Sequence, residues 1–383
     1  DIGPEAGTFG GELVAQGTYE ELLKENSLTA QYLNGKIKIE IPSKRKISNN
    51  YIEVIGAREN NLKNIDVKFP LNVLTVVTGV SGSGKSTLVK NILYPALQKE
   101  LYKFGGKPGE FNHLNGNYST IKNVEFIDQN PIGRSSRSNP VTYIKAYDDV
   151  RALFTNQKLS KIRAYKAKHF SFNVDGGRCE TCNGEGEVTI GMQFMADVHL
   201  VCETCNGKRF KKEILEVKFE EKSISDILDS TIDEAISFFT LHNQRKIINK
   251  LQPLKDVGLG YVKLGQASST LSGGEAQRIK LASFLVKGIT KDKVLFIFDE
   301  PTTGLHFHDI KKLLDSFNAL LGKGHTIIII EHNIELIKCA DYIIDLGKEG
   351  GANGGEVLFQ GTPEELIKNN SSSYTSAFLK EKF

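Results

Sequence analysis

The sequence predicts an α/β fold: a mainly parallel sheet whose chain is interrupted by an inserted helical region carrying a four-cysteine module. Val294–Phe298 and Thr326–Ile330 are unbroken β-branched and aromatic runs, the pattern of strands covered on both faces. A third apolar run, Val73–Thr78, enters Gly79-Val80-Ser81-Gly82-Ser83-Gly84-Lys85-Ser86, which has the full spacing of a phosphate-binding loop. Between that loop and the later runs lie Cys179-x2-Cys182 and Cys202-x2-Cys205, separated by nineteen residues. That spacing suits a tetrahedral zinc site of four thiolates.

Taken in order, the chain opens on a repeat. Asp1-Ile2-Gly3, Gly10-Gly11-Glu12 and Gln16-Gly17-Thr18-Tyr19-Glu20-Glu21-Leu22 realign at an offset of 344 with Asp345-Leu346-Gly347, Gly354-Gly355-Glu356 and Gln360-Gly361-Thr362-Pro363-Glu364-Glu365-Leu366. Self-similarity over this length implies a duplicated domain. Residues 1–35 are therefore expected to be the C-terminal remnant of a first nucleotide-binding domain, and the chain a piece of a tandem protein. Lys36–Asn50, polar, basic and containing Pro42, reads as a linker. A second domain is expected over 51–150 and 253–370, an insertion over 151–252 with its metal module at 179–205, and a tail at 371–383. Ile52, Val54 and Ile55 with Ile65, Val67 and Phe69 suggest an antiparallel pair ahead of the loop, and Ser86–Leu97 a helix after it.

At 383 residues the chain exceeds the roughly 250–300 that one core sustains. Charged residues make up 25% and apolar residues 39%, and no apolar run approaches the roughly 20 residues of a membrane span. Asp1-Ile2-Gly3-Pro4 carries no secretory signature, so a cytoplasmic setting is expected. Two disulfides among the paired cysteines fit that setting poorly. A net charge of +3 does not by itself argue for a polyanion partner, but its distribution does. Asn156–Val174 has no acidic residue and holds Lys158, Lys161, Arg163, Lys166 and Lys168, while Arg178, Lys208 and Arg209 flank the cysteines. These are candidate nucleic-acid contacts, with a solvated basic face as the alternative.

The loop's glycines turn successive N–H groups toward phosphates, with Lys85 placed to neutralise the β/γ oxygens and Ser86 to ligate Mg²⁺. Gly79, Val80, Ser81, Gly82, Ser83, Gly84, Lys85, Ser86 and Thr87 are thus the candidate ATP contacts. The run Val294–Phe298 delivers Asp299-Glu300 at a strand end, Asp299 for magnesium and Glu300 to orient or deprotonate the attacking water. Gln129, after the apolar Val124–Ile127, is a candidate for coupling the γ-phosphate to the insertion. His332, just past Thr326–Ile330, is a candidate γ-phosphate sensor.

Leu271-Ser272-Gly273-Gly274-Glu275-Ala276-Gln277-Arg278 resembles the signature of the ABC ATPases, and Asp299-Glu300-Pro301-Thr302-Thr303-Gly304-Leu305-His306 resembles their Walker B and D-loop segment. The resemblance implies an ABC-type phosphate-loop ATPase domain with an inserted helical and signature region carrying the four-cysteine zinc module. It also implies that Ser272, Gly273 and Gly274 act in trans on ATP held elsewhere. With the zinc module, and with Asn61-Leu62-Lys63-Asn64-Ile65, Asp128-Gln129-Asn130-Pro131-Ile132-Gly133-Arg134, Phe170-Ser171-Phe172-Asn173 and Gly176-Gly177-Arg178-Cys179, the chain is similar to the UvrA family of bacterial nucleotide excision repair. That likeness implies ATP, Mg²⁺ and Zn²⁺ as cofactors, and damaged double-stranded DNA and a homodimer of the full-length protein as partners. UvrB would be contacted through a missing first half. The alternatives are a UvrA-like paralogue for drug self-resistance, a transporter-type ABC subunit, and a protein-binding zinc module like those of DnaJ-type chaperones.

Overall fold

The computed structural model describes every residue except 5, 6, 8, 9, 134, 136, 193–197, 287–291, 370 and 371. The chain forms two compact units, one of Asp1–Pro4, Glu12–Gln129 and Lys287–Phe383, the other of Glu5–Gly11 and Asn130–Val286.

In chain order the strands are β1 (Ile2–Gly3), β2 (Glu12–Leu13), β3 (Tyr51–Ala57), β4 (Ile65–Pro70), β5 (Leu74–Gly79), β6 (His113–Gly116) and β7 (Asn123–Ile127). They continue as β8 (Glu187–Ile190), β9 (Val198–Val201), β10 (Val294–Asp299), β11 (Thr326–Ile330), β12 (Tyr342–Gly347) and β13 (Glu356–Gly361). Of these, β8 and β9 lie in the second unit.

In the first unit a six-stranded sheet runs β13-β12-β5-β11-β10-β7, parallel throughout except for the antiparallel β12–β13 pair. Every residue of β11 is buried, as the unbroken Thr326–Ile330 run requires of a strand covered on both faces. A second sheet, β4-β3-β6, closes the unit, and its registers Ile52↔Phe69 and Val54↔Val67 turn those apolar residues onto a shared core. That core packs Val77, Ile297, Ile328 and Ile344 against Leu88, Val89, Ile92 and Leu93 of the helix after the phosphate loop. Each such buried aliphatic side chain contributes about 1.5–3 kcal/mol.

The helix expected over Ser86–Leu97 comes in two pieces. Thr87–Leu93 is wound wide, with the Tyr94 N–H reaching the Val89 carbonyl five residues back, and Tyr94–Tyr102 follows as an ordinary α-helix. Pro95 explains the change, because it has no N–H to continue the ladder.

The repeat has a structural counterpart in the same register. β1 pairs β2 as Ile2↔Leu13 and Gly3↔Glu12, and β12 pairs β13 as Leu346↔Val357 and Gly347↔Glu356. In each copy a threonine then caps a short helix reciprocally with a glutamate three residues on, Thr18 with Glu21 and Thr362 with Glu365.

The segment read as a linker, 36–50, is strapped to the first unit. Ile39 is buried, the Arg45 guanidinium donates to the Glu364 carboxylate and to the Lys338 carbonyl, and the Lys46 N–H donates to Asp341 Oδ1. Its polar composition concealed this, since the anchoring is done by one apolar residue, one arginine and one backbone N–H.

The second unit combines helices with a small four-cysteine knuckle. Helix Arg245–Asp256 packs on Ile232–Leu241, on Tyr147–Thr155 and on Gly273–Val286. Buried Ile247, Leu251 and Leu254 lie along this central helix. The insertion expected at 151–252 is thus the middle of a wider body that includes the Ser272-led helix, because the central helix packs against elements on both sides of those limits. Phe170, Phe172 and Phe210 are fully buried, which makes them core residues.

Candidate nucleotide site and four-cysteine centre

The topology assembles the first site. Parallel strands β5, β11, β10 and β7 are neighbours, so the residues leaving their carboxyl ends share one edge, where open α/β sheets bind ligands. Those residues are the Gly79–Ser86 loop, Glu331-His332, Asp299-Glu300 and Asp128-Gln129.

The phosphate loop is held from outside. The Gly82 carbonyl accepts from the Gly351 N–H at 3.0 Å and from Asn61 Nδ2 at 2.8 Å, and the Ser83 carbonyl accepts from the Gly355 N–H at 3.2 Å. Gly79, at φ +128°, passes so close to β12 that a Cβ would stand 1.9 Å from the Leu346 carbonyl. Lys85 is buried, its Nζ on the carbonyls of Gly79 at 3.0 Å and Val80 at 2.8 Å. Burial lowers its pKa, against the opposing pull of Glu300, Asp345 and Asp299. Burial likewise raises Asp299, opposed by Lys90 and reinforced by Glu300. Ser83 Oγ is buried without a hydrogen-bond partner among the described residues. A glycine cradle, a desolvated lysine and an orphaned hydroxyl suit a phosphate chain.

Glu300 occupies the left-handed region at φ +45°, a costly conformation for a residue with a side chain. Its surroundings hold it there. Its N–H donates to the Ile330 carbonyl at 3.0 Å, and its own carbonyl accepts from Gln129 Nε2 at 3.1 Å and from Thr303. The Glu300 carboxylate then meets His332 Nε2 at 3.4 Å, both side chains about half exposed. Gln129, Glu300 and His332, far apart in sequence, converge. Ser86 and Thr87 follow the loop, Thr87 Oγ1 accepting from Asn60 Nδ2 at 3.3 Å.

In the second unit the four cysteines are buried, unpaired by disulfides, with all four sulfurs within 4.8 Å of one another. Cys179 and Cys202 Sγ are 3.9 Å apart, and Cys182 and Cys205 Sγ 3.6 Å. A tetrahedral site with Zn–S bonds of about 2.3 Å has S···S edges of about 3.8 Å, so the donor set fits zinc. Four thiolates leave no open coordination position, which suits a structural role. Gly184 and Gly207, both at positive φ, follow the paired cysteines as the turns require. Between the pairs β8 and β9 form an antiparallel hairpin. Met192, past the end of β8, is exposed, while Phe194 and Met195 lie outside the described residues, as does Arg134.

No protein-family model matches the chain. UvrABC system protein A of Clostridium acetobutylicum is 53% identical over 100% of this chain, and that of Bacillus subtilis 53% identical over 99%. The crystal structure of UvrA2 from Deinococcus radiodurans superposes at a TM-score of 0.92, with 43% identity, covering 100% of this chain and 46% of that one. The chain belongs to the UvrA family. It spans about 40% of the length of the curated relatives it matches.

In this UvrA-family chain, Ser272 caps the helix Gly273–Val286, its Oγ accepting from the Glu275 N–H at 3.2 Å while Glu275 accepts from the Ser272 N–H at 2.8 Å. The first turn, with Gly273 and Gly274, is a helix N-terminus suited to an anion. Of the basic candidates, Lys158, Lys161, Arg163, Lys166, Lys168 and Lys208 are exposed. Arg178 and Arg209 are more enclosed. Arg178 pairs with Asp175 at 2.7 Å, and Arg209 donates to the Gly265 carbonyl at 2.9 Å with its guanidinium over Phe172. The bracing of the loop by Asn61, Gly351 and Gly355 is not legible in the motif spacing. The glycine-dense run after β12 was its one visible signal.

Proposed function

We propose that this chain is the ATP-hydrolysing, zinc-holding portion of a DNA-binding protein of bacterial nucleotide excision repair. The observation that carries the reading is the convergence of Gln129, Glu300 and His332 beside a preformed phosphate loop, in a chain 53% identical to UvrABC system protein A. ATP is the substrate, gripped by Gly79–Thr87. Ser86 and Asp299 would hold Mg²⁺, which supplies charge neutralisation at the β- and γ-phosphates. Glu300 takes the proton of a water attacking the γ-phosphorus. The bond to the β,γ-bridging oxygen breaks, and ADP and inorganic phosphate leave. His332 and Gln129 sense the γ-phosphate, and Ser272, Gly273 and Gly274 complete a nucleotide site on another domain.

The four cysteines hold zinc as a brace for the hairpin, and the exposed lysines and Arg163 meet duplex phosphates. Damaged DNA, UvrB and a second copy of the full-length protein are the proposed partners. Four buried cysteines grouped with the spacing of a zinc site, a use of thiols suited to a reducing compartment, support a cytoplasmic setting. No helix among the described residues is long and apolar enough to cross a membrane. Binding of a fluorescent duplex, with and without a bulky lesion, across a salt series and with ATP or ADP, tests the reading. Salt-steep, nucleotide-responsive binding supports it, and salt-independent binding overturns the DNA role.

A further inference from the structure

Glu331 is not among the residues to which the nucleotide chemistry has so far been given, yet it sits between them. Its side chain is buried at 3% exposure and accepts four hydrogen bonds. Oε1 takes the Thr302 N–H at 2.9 Å and the Thr302 hydroxyl. Oε2 takes the His332 N–H at 2.6 Å and the Asn333 N–H at 2.9 Å. The Glu331 N–H donates to the Val77 carbonyl on β5, the strand that enters the phosphate loop. One residue therefore ties together the ends of three elements: the phosphate-loop strand, the turn Pro301–Gly304 after Glu300, and the bend that carries His332.

Four donors on two oxygens saturate a carboxylate, which is acceptor-only when ionised. An amide of the same shape would aim an NH₂ at two donors and lose one side of the clamp. A shorter aspartate would not span both loops. The charge and the length of glutamate are thus both used. The side chain points into the clamp and away from solvent, so its role is one of placement.

We propose that Glu331 is a positioning residue for ATP hydrolysis: it locks His332 to the turn at Thr302, so that the γ-phosphate sensor and the Glu300 carboxylate stand in register. The inference rests on the ATPase reading given above. Loss of the clamp should leave nucleotide binding intact, because the phosphate loop is braced separately by Asn61, Gly351 and Gly355.

The test is a double-mutant cycle on the chain, with turnover and Mg-ATP affinity measured for wild type, Glu331→Gln, His332→Ala and the pair, and folding checked by thermal melting. Glu331→Gln is expected to lower kcat by about tenfold or more, with the dissociation constant changed less than about threefold. In the His332→Ala background the same change should cost less than about twofold, since a residue acting through His332 has nothing left to position. An equal loss in both backgrounds, or an unchanged kcat, overturns the proposal. If Glu331→Gln does not fold, Thr302→Val removes one donor at constant shape, and the same cycle with His332→Ala carries the same two outcomes. A wild-type chain that binds Mg-ATP without turnover overturns the ATPase reading alone. The positioning role is then read from the His332 imidazole resonance on adding a non-hydrolysable ATP analogue. A shift in wild type that is lost in Glu331→Gln supports it, and equal shifts overturn it.

Discussion

Nε2 of His332 lies 3.4 Å from Oε1 of Glu300, although the two residues leave different strands. The contact exists because β10 and β11 are adjacent and parallel, in register Asp299↔Ile330, so that the residues just beyond each strand emerge side by side. Gln129 reaches the same turn through the Glu300 carbonyl.

Removing the Glu300 charge should separate binding from chemistry. Glu300→Gln is expected to bind Mg-ATP as wild type does while turnover falls by about 10²-fold or more, the loss typical of a general base. Lys85→Ala should instead weaken nucleotide binding, because its ammonium is a buried positive charge held within the loop. Isothermal titration and phosphate release measured on both variants check the assignment, and equal loss of binding in the two would overturn it.

Cys179→Ser should release zinc and unfold the knuckle around the β8–β9 hairpin while the first unit keeps its melting transition. Metal-site folding free energy is local to the elements the ligands join, here 179–182 and 202–205. Zinc content by atomic emission together with calorimetry of wild type and variant decides this. A single transition lowered as a whole would show the two units melting together.

Acid should weaken the first unit partly through Glu335. Burial tends to raise its pKa, but hydrogen bonds from Lys338 and Lys382 outweigh that and hold it below the ordinary glutamate value. A carboxylate depressed on folding contributes stability that is fully present above its unfolded value. That stability is lost as pH falls through the folded one. Glu335→Gln should therefore be less stable than wild type by about 1 kcal/mol at pH 7, with the gap closing below about pH 4. Urea melts at about pH 7 and at successively lower pH measure it, the gap narrowing once pH falls below the ordinary glutamate range.

Neutralising Lys158, Lys161, Lys166 and Lys168 together should lower duplex affinity and flatten its salt dependence, by about 0.9 in log–log slope for each phosphate that the protein no longer neutralises. Arg209→Ala is expected to act mainly on stability, since its guanidinium is spent on the Gly265 carbonyl and the Phe172 ring. A slope unchanged in the lysine variant would move the DNA surface elsewhere.

Readable from the chain alone were the strands buried on both faces, the phosphate loop, the four cysteines and the repeat. Each of these is a local pattern: an apolar run, a glycine spacing, a pair of ligand spacings, a self-alignment. Thr326–Ile330 was readable as a buried strand because burial on both faces suppresses alternation. The repeat at offset 344 carried its own pairing register, from Ile2↔Leu13 to Leu346↔Val357, because turn and strand lengths were copied with it.

Tertiary structure alone decided what those pieces do to one another. Gln129, Glu300 and His332 meet because of strand order, which depends on packing across the whole sheet. The 36–50 strap, the bracing of Gly82 and Ser83 by Asn61 and Gly355, and the clamp of Glu331 on Thr302 and His332 are hydrogen bonds that the fold sets up, most of them between segments distant in the chain. Glutamate, asparagine and arginine look alike in sequence whether they face water or are buried. Burial is what makes their partners obligatory, and only the folded chain supplies it.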